Sequence, residues 1–216
     1  KAYKKIQNFT NMGYSVAANG TRYQKDKQGF LAELMETMYK ERSMYKKKMI
    51  ECQKSQQAGE SGLENQIAKF NNFQLVRKIQ LNSAYGAIGN EWFRYYDVRM
   101  AEAITLSGQL NIRWIADKLN EFLNETLGTD EYDYIVASDT DSVYLRLSNL
   151  VDKVLPECKD KGKITNFLNK RCAEIIQRCS GKKYAEVGTM LNVLENKMVM
   201  ERDVMAAKGV CTAKKR

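Results

Sequence analysis

The stretch "YDYIVASDTDSVYLRLSN", residues 132–149, decides the fold class of this chain because it interrupts a largely helical pattern. Two apolar segments flank a short polar turn, and short runs of this kind bounded by turn residues are typical of β-strands. The stretch therefore predicts a β-hairpin with Asp139 and Asp141 at its tip. Two like charges so close together destabilise a fold unless a positive charge lies between them.

The charges at the hairpin tip predict a metal site. No lysine or arginine lies within "VASDTDSVY" (136–144) to compensate the two carboxylates. A divalent cation is the natural partner, and carboxylate oxygens suit Mg²⁺ best. Aspartate and serine also favour turns for conformational reasons alone, so a plain turn is the alternative for this short pattern.

The rest of the chain is mainly helical by its apolar periodicity. Helices are predicted over 28–56, from Leu63 past Tyr85, over Val98–Leu127 and over Ile164–Cys179. The first two are joined by a short polar loop and should pack antiparallel. A second hairpin is predicted at the Asn19-Gly20 pair, and strand-like alternation predicts strands from 196 onward. This order of elements predicts an α+β fold.

The long helix Val98–Leu127 carries the apolar stripe on which a core is predicted to form. Its inward face is predicted to comprise Ile104, Leu110, Trp114, Ile115, Leu119, Phe122 and Leu123. Gly128 directly follows the last of these turns and is placed to end the helix.

Composition limits the possible chemistry. The 216 residues contain no histidine, which removes Ser-His-Asp triads, Cys-His dyads and the commonest zinc sites. The five cysteines form no C-x-x-C pair, which indicates reduced thiols in a cytosolic setting and neither disulfides nor zinc. Any catalysis must therefore rest on carboxylates, lysine or a hard metal.

Charge and hydropathy indicate the kind of partner. Lysine and arginine number 35 against 26 acids, a net charge of +9, which favours a polyanion, with an ordinary basic surface as the alternative. No run of about 18 apolar residues occurs, so no membrane partner is expected. The first residue is Lys1 and no signal peptide precedes it, so we expect either a missing start or an excerpt of a longer protein.

Two sets of polar residues on the helix pair are suited to a phosphorylated ligand. Lys78, Asn82 and Tyr85 follow each other at i, i+4 and i+7, so one helical face carries a cation, an amide and a phenol. Arg42 and Lys46 lie one turn apart on the first helix, and antiparallel packing can bring them across from Lys78. Converging cations repel each other, which implies an absent polyanion such as a triphosphate. A solvated helix surface is the alternative for each set.

The chain ends in a basic segment. Its cations are Lys208, Lys214, Lys215 and Arg216. Such a segment suits sequence-independent contact with the phosphates of DNA, and a charged, fraying terminus is the alternative.

Four of these segments resemble motifs of family B DNA polymerases. "KIQLNSAYG" (78–86) resembles their K-x-x-x-N-S-x-Y-G motif, and "ASDTDSVY" (137–144) resembles their D-T-D-S motif. "ERSMYKKKM" (41–49) is similar to the basic stretch of their first fingers helix, and the terminal "KKR" resembles the start of K-K-R-Y. Order and spacing agree across nearly the whole chain, in the manner of the replicative enzymes of T-even-type phages.

The resemblance implies a metal site and a DNA contact. Asp141 is expected to ligate both of two Mg²⁺ ions, with Asp139 as its weaker neighbour. Asp203 in "MERDVM" is expected to be an auxiliary carboxylate of the same metal site. The terminal "KKR" is expected to touch the primer-template duplex.

The resemblance also implies a nucleotide site. Lys78 is expected to bind the triphosphate of the incoming deoxynucleotide, with Arg42 and Lys46 as basic helpers. Asn82 and Tyr85 are expected to line the pocket of the nascent base pair. Gly86 would allow the backbone to approach this pocket closely.

The implied subdomains are an N-terminal palm-proximal segment with a hairpin (1–27), the fingers (28–86) and the palm (87–216). The fingers are the antiparallel helix pair, and the palm is an antiparallel sheet with packed helices, the D-T-D-S hairpin and the basic end. The implied reaction is attack of a primer 3′-hydroxyl on the α-phosphorus of a deoxynucleoside triphosphate, with two metals between attacking and leaving oxygens. The implied location is the cytoplasm of an infected bacterial host.

The chain departs from the family pattern in one decisive respect. The second essential aspartate of the family lies in a D-x-x-S-L-Y-P-S motif upstream of the fingers, and no such motif occurs here. We therefore expect the isolated chain to be inactive, or nearly so. Its partner would be the rest of the polymerase or, in a split polymerase, a complementing chain.

Two other classes of function remain open at this point. A non-catalytic DNA-binding module agrees with the positive charge and with the missing aspartate. A nucleotide-sugar transferase also uses D-x-D with Mg²⁺, but it has no use for the strip that begins at Lys78 or for the basic end.

Overall fold

A computed structural model describes residues 8–158, 160–176 and 181–207. The elements in chain order are β1 (Ser15–Val16), β2 (Arg22–Tyr23), α1 (Phe30–Gln57), α2 (Glu64–Ile88), α3 (Val98–Leu127), β3 (Ile135–Asp139), β4 (Ser142–Leu145), α4 (Ser148–Val154), α5 (Lys161–Ile175) and α6 (Gly181–Met190). The strands form two separate antiparallel pairs, which together with the helices confirms the α+β fold. None of the helices in the described ranges is both long enough and apolar enough to cross a bilayer.

The chain forms two compact units. One comprises Asn11–Thr105 and contains the first hairpin and the helix pair α1–α2. The other comprises residues 8–10 together with the described residues from Leu106 onward, and it contains the β3–β4 hairpin. The finer division into palm and fingers remains a prediction.

The first hairpin forms where the Asn-Gly pair predicts it. Ser15 pairs with Tyr23, and the Gly20 amide donates to the Ala17 carbonyl oxygen at 2.9 Å to close the turn. Gly20 has a φ of +86°, a conformation that costs glycine little because it lacks a Cβ. Asn19 holds the hairpin in place, because its side-chain amide donates to the Arg99 carbonyl oxygen at 3.0 Å.

The helices α1 and α2 pack antiparallel, as predicted. Near the connecting loop, Gln56 Nε2 donates to Glu64 Oε1 at 2.9 Å. Three to four turns away, Arg77 Nε donates to Glu41 Oε2 at 2.8 Å. Residue numbers therefore rise along α1 as those of their partners fall along α2, which fixes the register of the pair.

The core of the second unit forms on the C-terminal half of α3. Ile115, Leu119, Leu123 and Leu127 recur every four residues and are buried together with the residue before β3 and with residues of later helices. Those partners are Tyr134, Leu150, Ile175 and Tyr184. Gly128, with a φ of +62°, ends the helix as predicted.

Three residues of the predicted stripe are not part of this core cluster, namely Ile104, Leu110 and Trp114, of which the last two are partly buried. Ile104 is 50% exposed, so its predicted burial is wrong. The residues of α3 that belong to this cluster or pack against it begin at Ile112, and the helical period alone does not reveal where such a cluster begins.

Of the segment after residue 196 that was predicted to form strands, the structure describes residues 196–207, and these contain no strand. Residues 196–206 have no regular secondary structure, and Val199 and Val204 are each 78% exposed. The alternation of apolar and polar residues is visible in a single segment, but a strand forms only when a neighbouring strand supplies hydrogen bonds. Neither described hairpin pairs with this segment.

The α5 helix begins at Lys161, three residues earlier than predicted, because the Asp160 carboxylate accepts a hydrogen bond from the Gly162 amide at 2.8 Å. Its predicted end at Cys179 lies outside the described residues.

Two side-chain amides of α3 hold the segment that leads into β3. Asn124 Oδ1 accepts a hydrogen bond from the Tyr132 amide at 3.0 Å, and its Nδ2 donates to the Tyr132 carbonyl oxygen at 2.9 Å. Asn120 Oδ1 accepts from the Tyr134 amide at 2.9 Å. These bonds satisfy backbone groups of an irregular segment that no strand pairs, as buried polar groups require.

Two residues directly before β3 are also held by local contacts, one of them charged and the other buried. Asn120 Nδ2 donates to Asp133 Oδ1 at 2.8 Å, and this hydrogen bond, with a weaker one from the Ile135 amide, holds the pKa of Asp133 below its ordinary value of 3.8. Tyr134 is fully buried, and its hydroxyl lies 2.8 Å from Thr129 Oγ1. The start of β3 is thus attached to α3 by both polar and apolar contacts.

We expect Asn124→Asp to lower the free energy of unfolding by about 2–3 kcal/mol, because the carboxylate cannot donate to the two carbonyl oxygens that Asn124 Nδ2 now reaches. Urea unfolding followed by circular dichroism measures the change. Asn166→Asp, at an exposed position of α5, is the control and should change stability by less than about 0.5 kcal/mol. Equal stability of the two variants would contradict the role given to Asn124.

Candidate functional site

The predicted aspartate hairpin exists, and its base is packed while its tip is open. Ile135 pairs with Leu145 at the base, where both pack against the core, and Asp139 pairs with Ser142 at the tip. Thr140 and Asp141 form the two-residue turn between the strands. Both aspartate side chains are exposed, so the hairpin presents them to solvent on a support that the core holds.

The acidic pair has no cation among the described residues. No described lysine or arginine forms an ion pair with Asp139 or Asp141. Their oxygens are the hard ligands that Mg²⁺ prefers, so the donor type fits the predicted metal. Two carboxylates are nevertheless too few for a complete site, and the described ranges contain no group of three or more Asp, Glu, His or Cys suited to a metal.

Asp203 is exposed in the irregular segment 196–206 and does not form such a three-residue group with the hairpin aspartates. Its role as an auxiliary carboxylate therefore remains a prediction. The basic end of the chain, with Lys208, Lys214, Lys215 and Arg216, lies outside the described residues.

The turn between the aspartates is conformationally unusual. Thr140 has a φ of +53°, and such left-handed backbone costs a residue with a Cβ about 1–2 kcal/mol. Its hydroxyl donates to Asp139 Oδ1 at 3.0 Å. Ser142 Oγ donates to the Asp139 carbonyl oxygen, also at 3.0 Å. The side chains of Thr140 and Ser142 thus both donate hydrogen bonds to Asp139.

The predicted polar strip on α2 lies on an open surface. Lys78, Asn82 and Tyr85 are all exposed, and the helix brings them onto one face as their spacing predicts. Gly86 is helical, and a Cβ at this position would meet no atom within 4 Å. Packing among the described residues therefore does not explain a glycine at this exposed position in the last turn of α2.

The helix register relates the two basic sets. Because Arg77 contacts Glu41, the adjacent residues Lys78 and Arg42 lie at the same level of the helix pair, with Lys46 one turn further along α1. Arg42 is half-buried, and its Nε is buried without a hydrogen-bond partner in the described part of the chain. Convergence of the three cations on one ligand remains a prediction.

Comparison with known proteins decides the family. The model of "DNA polymerase family B" matches residues 2–171. The chain belongs to DNA polymerase family B. The DNA-directed DNA polymerase of Enterobacteria phage T4 is 31% identical over 89% of the chain, and that of Escherichia phage RB69 is 39% identical over 62%. The chain spans only 26% of the length of the T4 protein and 15% of that of RB69.

The range matched by the family model contains some of the candidate site residues of this family B chain and not others. It includes the helix pair, the polar strip on α2 and the aspartate hairpin. It ends before α5 does, so Asp203 and the basic end lie beyond it. The matched range therefore contains the two central residue sets and does not contain the C-terminal ones, and the roles of all of them remain predictions.

Two residues of this family B chain escaped the sequence reasoning. Arg77 sets the register of the helix pair through Glu41, and its guanidinium lies 4.9 Å from the ring centroid of Tyr45. The available signal was its position next to Lys78, on the side of α2 that faces α1. Thr140 was treated only as part of a turn, although a β-branched residue between two aspartates is an unusual choice for a tight turn.

We expect Arg77→Met to lower the free energy of unfolding by about 1–2 kcal/mol, because it removes both the ion pair with Glu41 and the cation–π contact with Tyr45. Urea unfolding measures this, with the exposed Lys47→Met on α1 as the control. If Arg77→Met is no less stable than Lys47→Met, these contacts do not set the register.

Proposed function

We propose that this chain is the fingers and most of the palm of a template-directed DNA polymerase. Its part in the reaction is to help transfer a deoxynucleotide to a primer 3′-hydroxyl. The substrates are primer-template DNA and deoxynucleoside triphosphates, and the place of action is the cytoplasm of an infected bacterial host. The observation that carries the proposal is the exposed acidic pair, without a described cation partner, on the packed hairpin of a family B chain.

The acidic pair is the chain's share of the catalytic metal site. Asp141 holds the metals, and Asp139 adds a weaker ligand, with Asp203 as an auxiliary carboxylate. Two bound Mg²⁺ ions supply charge stabilisation to the attacking and leaving oxygens of the phosphoryl transfer. The hairpin contributes rigidity, because the packed base at Ile135 and Leu145 limits how far the tip can move.

The helix pair is the chain's share of the nucleotide site. Lys78 binds the triphosphate, and Arg42 and Lys46 add positive charge from α1. The orphan Nε of Arg42 supports this, because a buried donor without a partner is rare unless a ligand or water meets it. Gly86 supports it as well, because the open space at its α-carbon admits a base pair that a side chain would obstruct.

Asn82 and Tyr85 line the pocket of the nascent base pair, where a phenol and an amide suit stacking and hydrogen bonding. Lys208, Lys214, Lys215 and Arg216 contact the backbone of the duplex without reading its sequence.

The isolated chain is catalytically incompetent in this proposal. Two metals need carboxylates from two strands, and the chain carries the aspartates of only one. The missing carboxylate belongs to the rest of the polymerase or to a complementing chain.

Primer extension tests the proposal in two settings. The purified chain with Mg²⁺, primer-template and deoxynucleotides should give no extension. The same 216 residues, substituted for the matching segment of the T4 enzyme, should give a chimaera that extends primers. In this chimaera Asp141→Asn should lower kcat by more than about 100-fold, because loss of a direct ligand exceeds the usual cost of losing a supporting group.

The nucleotide site has its own test in the chimaera. Lys78→Ala should raise KM for the deoxynucleotide about 10- to 100-fold, because a charge-assisted hydrogen bond to phosphate is lost. Lys47→Ala, on the exposed surface of α1, is the matched control and should leave KM unchanged.

Three outcomes would contradict the proposal. One is robust extension by the isolated chain, and another is a folded, DNA-binding chimaera that extends nothing. The third is undiminished DNA affinity of the chain after Asp141→Ala with no metal binding by the wild type, which would favour a non-catalytic DNA-binding module.

A further inference from the structure

The hydroxyl of Thr140 contacts one carboxylate oxygen of Asp139 and leaves the other free. Thr140 Oγ1 donates to Asp139 Oδ1 at 3.0 Å, and no hydrogen bond to Asp139 Oδ2 is present among the described residues. The neighbouring Ser142 bonds the main chain of Asp139 and leaves its carboxylate alone. Thr140 is thus the one described residue whose side chain restrains the Asp139 side chain itself.

Threonine is a poor conformational choice for this turn. Its φ of +53° lies in the region that glycine, asparagine and aspartate adopt most easily. A β-branched residue in this region is strained, and such strain persists only where the surroundings over-determine it. The turn itself therefore does not account for the side chain at this position, whereas the hydrogen bond to Asp139 accounts for its hydroxyl group.

We propose that Thr140 is a positioning residue whose hydroxyl occupies Asp139 Oδ1, so that Asp139 offers a single, oriented oxygen to a divalent cation. The inference rests on the proposed function, since it takes the acidic pair to be a metal site. It explains in physical terms why Asp139 is the weaker of the two aspartates: one of its oxygens is already engaged. Carboxylates that bind metals are commonly held by such outer hydrogen bonds.

A matched pair of variants isolates the hydroxyl. Thr140→Ser keeps the hydroxyl and loses the methyl group. Thr140→Ala loses the hydroxyl, and like the serine variant it is not branched at Cβ. Thr140→Gly removes both the hydroxyl and the backbone strain. Mn²⁺ titration of the full 216-residue chain, followed by paramagnetic broadening of the backbone amide signals of the hairpin tip, measures the affinity in each.

The expected pattern separates positioning from stability. Thr140→Ala should weaken Mn²⁺ binding about 10-fold, whereas Thr140→Ser should stay within about twofold of the wild type. Thr140→Gly should melt at a higher temperature than the wild type and yet bind Mn²⁺ as weakly as Thr140→Ala. A purely structural role would instead make the glycine variant at least as good a binder as the wild type. Asp152→Asn, at an exposed position of α4, should bind like the wild type.

Two results would overturn the inference, and they differ in what they imply. Equal Mn²⁺ affinity of the alanine and serine variants, with binding by the wild type, would remove the role of Thr140 and leave the metal site standing. Absence of wild-type broadening that Asp141→Asn could abolish would show that the hairpin carboxylates alone hold no divalent cation and would overturn the inference, whereas the proposed function keeps its separate test in the Asp141→Asn variant of the chimaera.

Discussion

The attachment of the hairpin to α3 is the constraint on which the site depends. The side-chain amides of Asn120 and Asn124 form hydrogen bonds with the backbone of an irregular segment, and Tyr134 is buried directly before β3. A two-stranded hairpin is at best marginally stable alone in water, so β3 and β4 need this external support. The acidic residues sit at the far end of that supported element, and any loosening at Asn124 is transmitted to them along two short strands.

Several residues of the candidate site are locally unfavourable for stability, and contacts among the described residues do not compensate for this. Thr140 adopts backbone geometry that its side chain disfavours, and Gly86 lies in the last turn of an exposed helix where no described contact requires a glycine. Arg42 Nε is buried without a hydrogen-bond partner among the described residues. Sequences that specify a fold are usually consistent at every level, and departures concentrate where function demands them. These three departures lie at or beside residues that were chosen from sequence motifs, and the roles of those residues remain predictions.

Elements defined by a single segment could be predicted from the sequence, whereas features that need a second segment could not. Helical periodicity located α1, α2 and α3 to within a few residues, and turn chemistry located both hairpins. Burial of Ile104 and pairing after residue 196 depend on what packs alongside, which periodicity does not contain. Asn120 and Asn124 read as ordinary polar positions, and only the structure reveals that they bond backbone across the turn that follows α3.

The irregular segment after residue 196 has a consequence for the behaviour of the chain in solution. In residues 196–206 it combines backbone that no described strand pairs with exposed valines at 199 and 204, and both features favour strand addition between molecules. Isolated copies should therefore self-associate as their concentration rises, through this segment and without the acidic hairpin. A polypeptide that laid a complementary strand along it would act as a solubilising cover as well as a structural neighbour.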